Sequence, residues 1–172
     1  MTAIFRGICV IVALLSMPAG AADTASKKQP AAISSISQTV VKMPLAKGVS
    51  MDEAVESMKL RANFINMKLV AELPLSKQVE AETGKPERRM SIYQFCDAQT
   101  AKQMVDYSMD FAAYLPCRIA LIQDEKGQGW LVMMDLNVLI NSANLNPKLK
   151  EKAIEVRNNL ESIMKAGANG DL

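Results

Sequence analysis

Two cysteines carry most of the chemistry open to this chain. One stands in Tyr93-Gln94-Phe95-Cys96-Asp97, where a strand pattern hands over to a helix pattern. The other stands in Leu115-Pro116-Cys117-Arg118, where the next strand begins. A third, Cys9, lies inside an apolar leader and is read as discarded with it. The chain has no histidine, so the commonest general base and metal ligand is missing. A Ser-His-Asp triad, a Cys-His dyad and any histidine-containing zinc site are excluded. Thiol, disulfide or thiolate–metal chemistry must therefore use Cys96 and Cys117.

Local context suggests what the pair could do. Cys96 directly precedes a helix N-terminus, where free N–H groups and the helix dipole favour negative charge and lower a thiol pKa. Arg118 adds a positive charge beside Cys117, although neighbouring strand residues point to opposite faces. Asp97 opposes ionisation. One reading is a structural Cys96–Cys117 disulfide, or two buried thiols; a bridge closing a loop of about twenty residues would contribute about 3 kcal/mol. A second is a copper(I) site, because thiolates and thioethers select that ion, with Met90, Met104 or Met133 completing it. No other cofactor is implied. A third is thiol redox or sulfur handling, with a low-pKa Cys96 and Cys117 as resolving partner. A ligand-binding module with incidental cysteines is the fourth. Tyr93 and Tyr114 flank the two motifs and are candidates for lining a pocket as well as for core packing. The candidate site is thus Tyr93, Cys96, Asp97, Cys117 and Arg118. No phosphate loop, paired-carboxylate signature or nucleotide fingerprint occurs, and the chain is expected to be a non-enzymatic binding or accessory module.

These residues need elements to hold them. Residues 40–43 form a strand candidate. Ser50-Met51-Asp52-Glu53 is a capping box, opening a helix with Ala54, Val55, Met58 and Ala62 on one face. Period-two alternation over 64–73 predicts a strand ended by Pro74. Residues 76–83 form a short helix that Gly84 stops. Residues 90–96 read as a strand, and Asp97 caps a helix over 98–108. Asp110 opens one further turn, closed by Pro116. Residues 117–123 and 130–136 are two apolar strands, joined by Asp124-Glu125-Lys126-Gly127-Gln128-Gly129 as a hairpin. Asn146-Pro147 starts the last helix, and Gly167 is expected to stop it. The order is β-α-β-β-α-β-β-α. With several strands joined by hairpins, it predicts an α+β fold: a mostly antiparallel sheet with helices packed on one face.

Residues 1–22 read as a signal peptide, with Arg6, an apolar run too short to span a bilayer and Ala19-Gly20-Ala21 for cleavage. Residues 23–39 read as a disordered tether, residues 40–166 as one α+β domain and residues 167–172 as a frayed tail. The expected location is periplasmic or secreted, where disulfides persist. Losing the leader removes one base and no acid, so the net charge falls from +2 to +1. That balance gives no reason to expect a nucleic-acid partner, or a membrane partner after cleavage. A homodimer through a sheet edge or the last helix stays open.

Taken together, Gln94-Phe95-Cys96-Asp97 and Tyr114-Leu115-Pro116-Cys117-Arg118-Ile119-Ala120 resemble the bacterial domain of unknown function family 302. Leu75-Ser76-Lys77-Gln78-Val79-Glu80 with Thr83-Gly84-Lys85-Pro86 resembles its exported members. The likeness runs over about residues 48–139, with looser support from the last helix. Where the family often has Cys-Asn-Pro, this chain has Cys96-Asp97-Ala98, which drops a helix-initiating proline and keeps a capping side chain. The resemblance implies a compact α+β domain of TATA-binding-protein-like topology and draws attention to the cysteine pair. It implies no settled activity, and a shared fold does not imply DNA binding.

Overall fold

A computed structural model describes residues 35–171. The leader and the first part of the tether lie outside them. The described chain begins with a 3-10 turn, Ile36–Thr39, capped by Ser35. It then runs β1 (Val40–Pro44), α1 (Met51–Phe64), β2 (Lys68–Leu73), α2 (Leu75–Thr83), β3 (Met90–Cys96), α3 (Ala98–Tyr107), a 3-10 turn (Met109–Tyr114), β4 (Cys117–Gln123), β5 (Gly129–Met134), α4 (Leu136–Ser142) and α5 (Pro147–Asn169). The five strands make one sheet in the order β1-β5-β4-β3-β2. Every pairing is antiparallel. Helices α1 and α5 pack on each other and on one face of this sheet, so the α+β class and the one-sided helix layer expected from the sequence are both present.

The core follows from the strand period. Tyr93, Phe95, Ile119, Leu121, Leu131 and Met133 point to the helix side and are buried, meeting Met58 and Ala62 of α1 and Leu160, Ile163 and Met164 of α5. The capping box forms as read. Ser50 Oγ accepts from Glu53 N–H at 3.1 Å, and Glu53 Oε2 accepts from Ser50 N–H at 2.7 Å. Gly84 ends α2 at φ +68°, a conformation that costs glycine little.

Four boundaries differ from expectation, each for a physical reason. Residues 64–67 are the end of α1 and its exit turn, not strand. Met67 N–H donates to the Ala62 carbonyl at 2.8 Å while Asn66 sits at φ +56°, a left-handed closure that asparagine tolerates. The apolar residues 65 and 67 merely kept the alternation in phase with the strand that follows. The turn after α3 is opened by Ser108, whose Oγ accepts from Asp110 N–H. Strand β5 stops at Met134 because Asp135 caps a new helix, α4, accepting from Asn137 N–H at 2.9 Å. Helix α5 does not stop at Gly167. It continues to Asn169, with Ala166, Gly167 and Ala168 buried, and Gly170 is the left-handed cap at φ +70°. Gly167 is there for contact, since a Cβ on it would lie 2.6 Å from Met58 Cγ.

Candidate functional site

The end of β3 and the start of β4 meet above the helix layer. Register pairs Phe95 with Cys117 and Tyr93 with Ile119, so Cys117 shares the core face with Phe95. The chain enters β4 through a cis Leu115–Pro116 peptide. From β3 it passes directly into α3, whose cap is Asp97. One carboxylate oxygen accepts from Gln99 N–H at 3.0 Å and Thr100 N–H at 3.2 Å, and the other from Thr100 Oγ1 at 2.7 Å. Buried Thr100 and Met104 fix the inner face of α3. The turn after α3, helix α4 and the first half of α5 close the remaining sides.

These elements enclose a cavity of about 70 Å³. Both cysteines stand in its wall, with Phe95, Met67 and Met104 beside them. Tyr114, Leu139 and Val156 face the same space from the turn, α4 and α5. Of the five sequence candidates, Cys96, Asp97 and Cys117 line the cavity. Tyr93 is fully buried in the core below it, and Arg118 is exposed, paired with Gln94 on the other side of the sheet. Of the methionines considered as ligands, Met104 is at the cavity and Met90 and Met133 are not. Met67, Leu136, Leu139, Ile140 and Leu145 were missed, because they converge only once α4 and the exit turn of α1 exist.

Both thiols are free, so the Cys96–Cys117 disulfide is not formed. The register explains this. Cys117 pairs across the sheet with Phe95 and not with Cys96, so the two cysteines border one cavity without being a cross-strand pair. The low-pKa expectation for Cys96 is also reversed. Burial raises its pKa, and the adjacent Asp97 raises it further. The helix N-terminus does not lower it, because the Asp97 carboxylate already occupies the N–H groups that would have stabilised a thiolate; its own pKa is lowered, chiefly by the Thr100 hydroxyl. Cys117 is raised to about 11, first by burial and then by Cys96, against a smaller opposing pull from Arg118. Among the described residues no group of three or more Cys, Asp or Glu side chains is placed to hold a metal ion. No helix among them is long and apolar enough to cross a membrane.

The shift on Cys117 carries a testable sign. Below the ordinary thiol value of 9.0 the folded and unfolded groups are both protonated and contribute nothing to the slope. Between that value and about 11 the unfolded thiol ionises while the folded one does not. Stability should therefore fall as pH rises, by roughly 2 kcal/mol across the window. Cys96 and Tyr93, also raised, add slope of the same sign, so the measurement is a difference. Urea unfolding followed against pH should show a shallower alkaline decline for Cys117→Ala than for the parent. Parallel curves would mean that Cys117 is not held neutral by burial.

A family model described as domain of unknown function DUF302 matches residues 41–167. Among solved structures, the chain is similar to an uncharacterized conserved protein DUF302 from Bacillus stearothermophilus, at TM-score 0.62 and 18% identity, over 74% of this chain and 97% of that one. At that identity the likeness is one of fold. No curated protein matches the chain.

Proposed function

The chain belongs to the DUF302 family of domains of unknown function, and within it we propose that this member is a small binding module that takes the apolar end of a ligand between its sheet and helices α3, α4 and α5. The observation that carries this reading is the cavity. Its wall is almost wholly aliphatic, aromatic and sulfur-bearing, and the one carboxylate at its edge, Asp97, is already spent on capping α3. Such a space has no affinity for a charged group and a real one for hydrocarbon. Its size sets the scale. At about 70 Å³ it holds roughly the volume of two or three waters, so a short alkyl chain or part of a ring enters and the rest of the ligand lies outside. Residues 1–22 support a place of action outside the cytoplasm.

Methyl NMR during titration with hexanol tests the reading. Shifts should concentrate on Met67, Met104, Leu139 and Val156 and saturate. Ala153→Phe, which fills the space from α5, should abolish them and leave the rest of the spectrum unchanged. Diffuse, non-saturating shifts, or saturation unaffected by Ala153→Phe, would defeat the proposal.

A second reading draws on one specific observation: Met67 and Met104 line the same cavity as Cys96 and Cys117. Two thiols and two thioethers make a donor set suited to copper(I). Burial works against it, since both thiol protons must leave, so affinity would rise steeply with pH. Chelator competition for copper(I) separates the readings, because Cys96→Ser or Cys117→Ser would abolish metal binding and leave hexanol binding nearly intact. Thiol redox or sulfur handling is less well supported, as it needs the thiolate that burial disfavours.

A further inference from the structure

Strands β4 and β5 are apolar on both faces, yet helices α1 and α5 cover only one. The core takes Ile119, Leu121, Leu131 and Met133. The alternate residues Ala120, Ile122, Trp130 and Val132, with Ile92 from β3, belong to the opposite face and remain partly exposed. Register sets them side by side: Ile92 beside Ala120 beside Val132, and Ile122 beside Trp130. Antiparallel strands with a wet face alternate apolar and polar residues, whereas continuous apolar runs mark strands buried on both sides. This second face is therefore built to be covered.

We propose that a second copy of this chain covers it, the two sheets packing back to back about a two-fold axis. Size permits this. Five strands about 4.8 Å apart and about six residues long span a face of roughly 500 Å² in projection, and more in accessible area. That approaches the roughly 800 Å² per partner of a standard interface. Charge selects both the occupant and the orientation. Arg118 is exposed on this face, at the start of the central strand β4. At the far end of β4, Asp124 accepts from Trp130 Nε1 at 2.9 Å, which holds its carboxylate beside an indole of the same face. A two-fold axis along the strands would set Arg118 against its own copy. An axis across the strands reverses β4 and sets Arg118 over the partner's Asp124, so the face is complementary to itself. Lys42 lies on the edge strand β1, where its long side chain reaches solvent at the rim. The cavity is on the other side of the sheet, so the dimer stands or falls independently of the ligand reading.

Sedimentation velocity over a range of concentrations tests this, on protein purified from the cells that make it. The parent should be a dimer. Val132→Lys, which places a charge in the middle of the face, should give a monomer with an unchanged circular dichroism spectrum. Arg118→Asp, at an exposed position, should weaken association by about tenfold or more and decides the matter if Val132→Lys does not fold. A parent that stays monomeric overturns the proposal, and means that the chain's own leading residues, another protein or a lipid surface holds the face. A dimer that neither substitution weakens overturns it equally.

Discussion

Phe95→Ala should destabilise the domain by about 3–5 kcal/mol, the largest loss expected from any one side chain at the site. Phe95 is fully buried on β3, between Leu69 and Cys117 in the sheet, and its ring also forms part of the cavity wall. The second point sets the size of the effect. A truncation costs least when neighbours collapse into the gap, and most when they are held apart. Here the gap opens into a space that is already empty and framed by three helices, so little collapse is available. The loss should reach the upper part of the range, a large share of the stability of an ordinary domain. Urea unfolding measures it. The enlarged cavity should also admit benzene whole, which would raise the melting temperature of Phe95→Ala by more than that of the parent. A loss below about 1 kcal/mol, or no rescue by benzene, would mean that the wall is not packed as described.

Gly167→Leu is the second. An ordinary glycine inside a helix is a weakness, and a larger residue there usually gains up to about 1 kcal/mol from propensity alone. The surroundings of Gly167 reverse the sign. Even a bare Cβ would lie 2.6 Å from Met58 Cγ and 3.1 Å from both the Ala54 carbonyl oxygen and Leu131 Cδ1. Met58 can rotate, but the Ala54 oxygen is backbone and moves only with α1. Helices α1 and α5 must then separate over the sheet. Overpacking of this kind costs about 1–3 kcal/mol. Gly167→Ala should therefore be destabilising by about 1 kcal/mol net, and Gly167→Leu by about 3 kcal/mol. Thermal unfolding distinguishes this from the propensity expectation, under which Gly167→Ala would be the more stable protein.

Most of the element order was legible because its signals are local. Ser50 with Glu53, Asp97, and Asn146 before Pro147 each announce a helix through groups that satisfy orphan N–H donors within three residues. The hairpin from Asp124 to Gly129 is equally local. Expectation failed where one pattern ran into the next without a break. At residues 64–67 the apolar alternation began before the strand did. After β5 the apolar run hid the cap at Asp135. In both places the deciding contact, a left-handed Asn66 or a carboxylate on the Asn137 N–H, is a matter of conformation and not of residue class.

The cysteine pair shows the same division. That the Cys96 and Cys117 motifs could come together followed from the sequence, because strand-helix-strand connections bring strand ends back toward each other, and both residues do border one cavity. Whether they would bridge, and how they would ionise, did not follow. Register decided the first, by setting Cys117 against Phe95. Competition for the α3 N-terminus decided the second, by giving its N–H groups to Asp97. By itself the sequence determined the class of fold, the one-sided helix layer and the two residues worth watching, since these rest on periodicity and on caps within a few residues. Only the tertiary structure decided that the thiols are free, raised and set in an apolar wall with Met67 and Met104. Burial, and the direction in which each side chain projects, depend on residues far away in the chain.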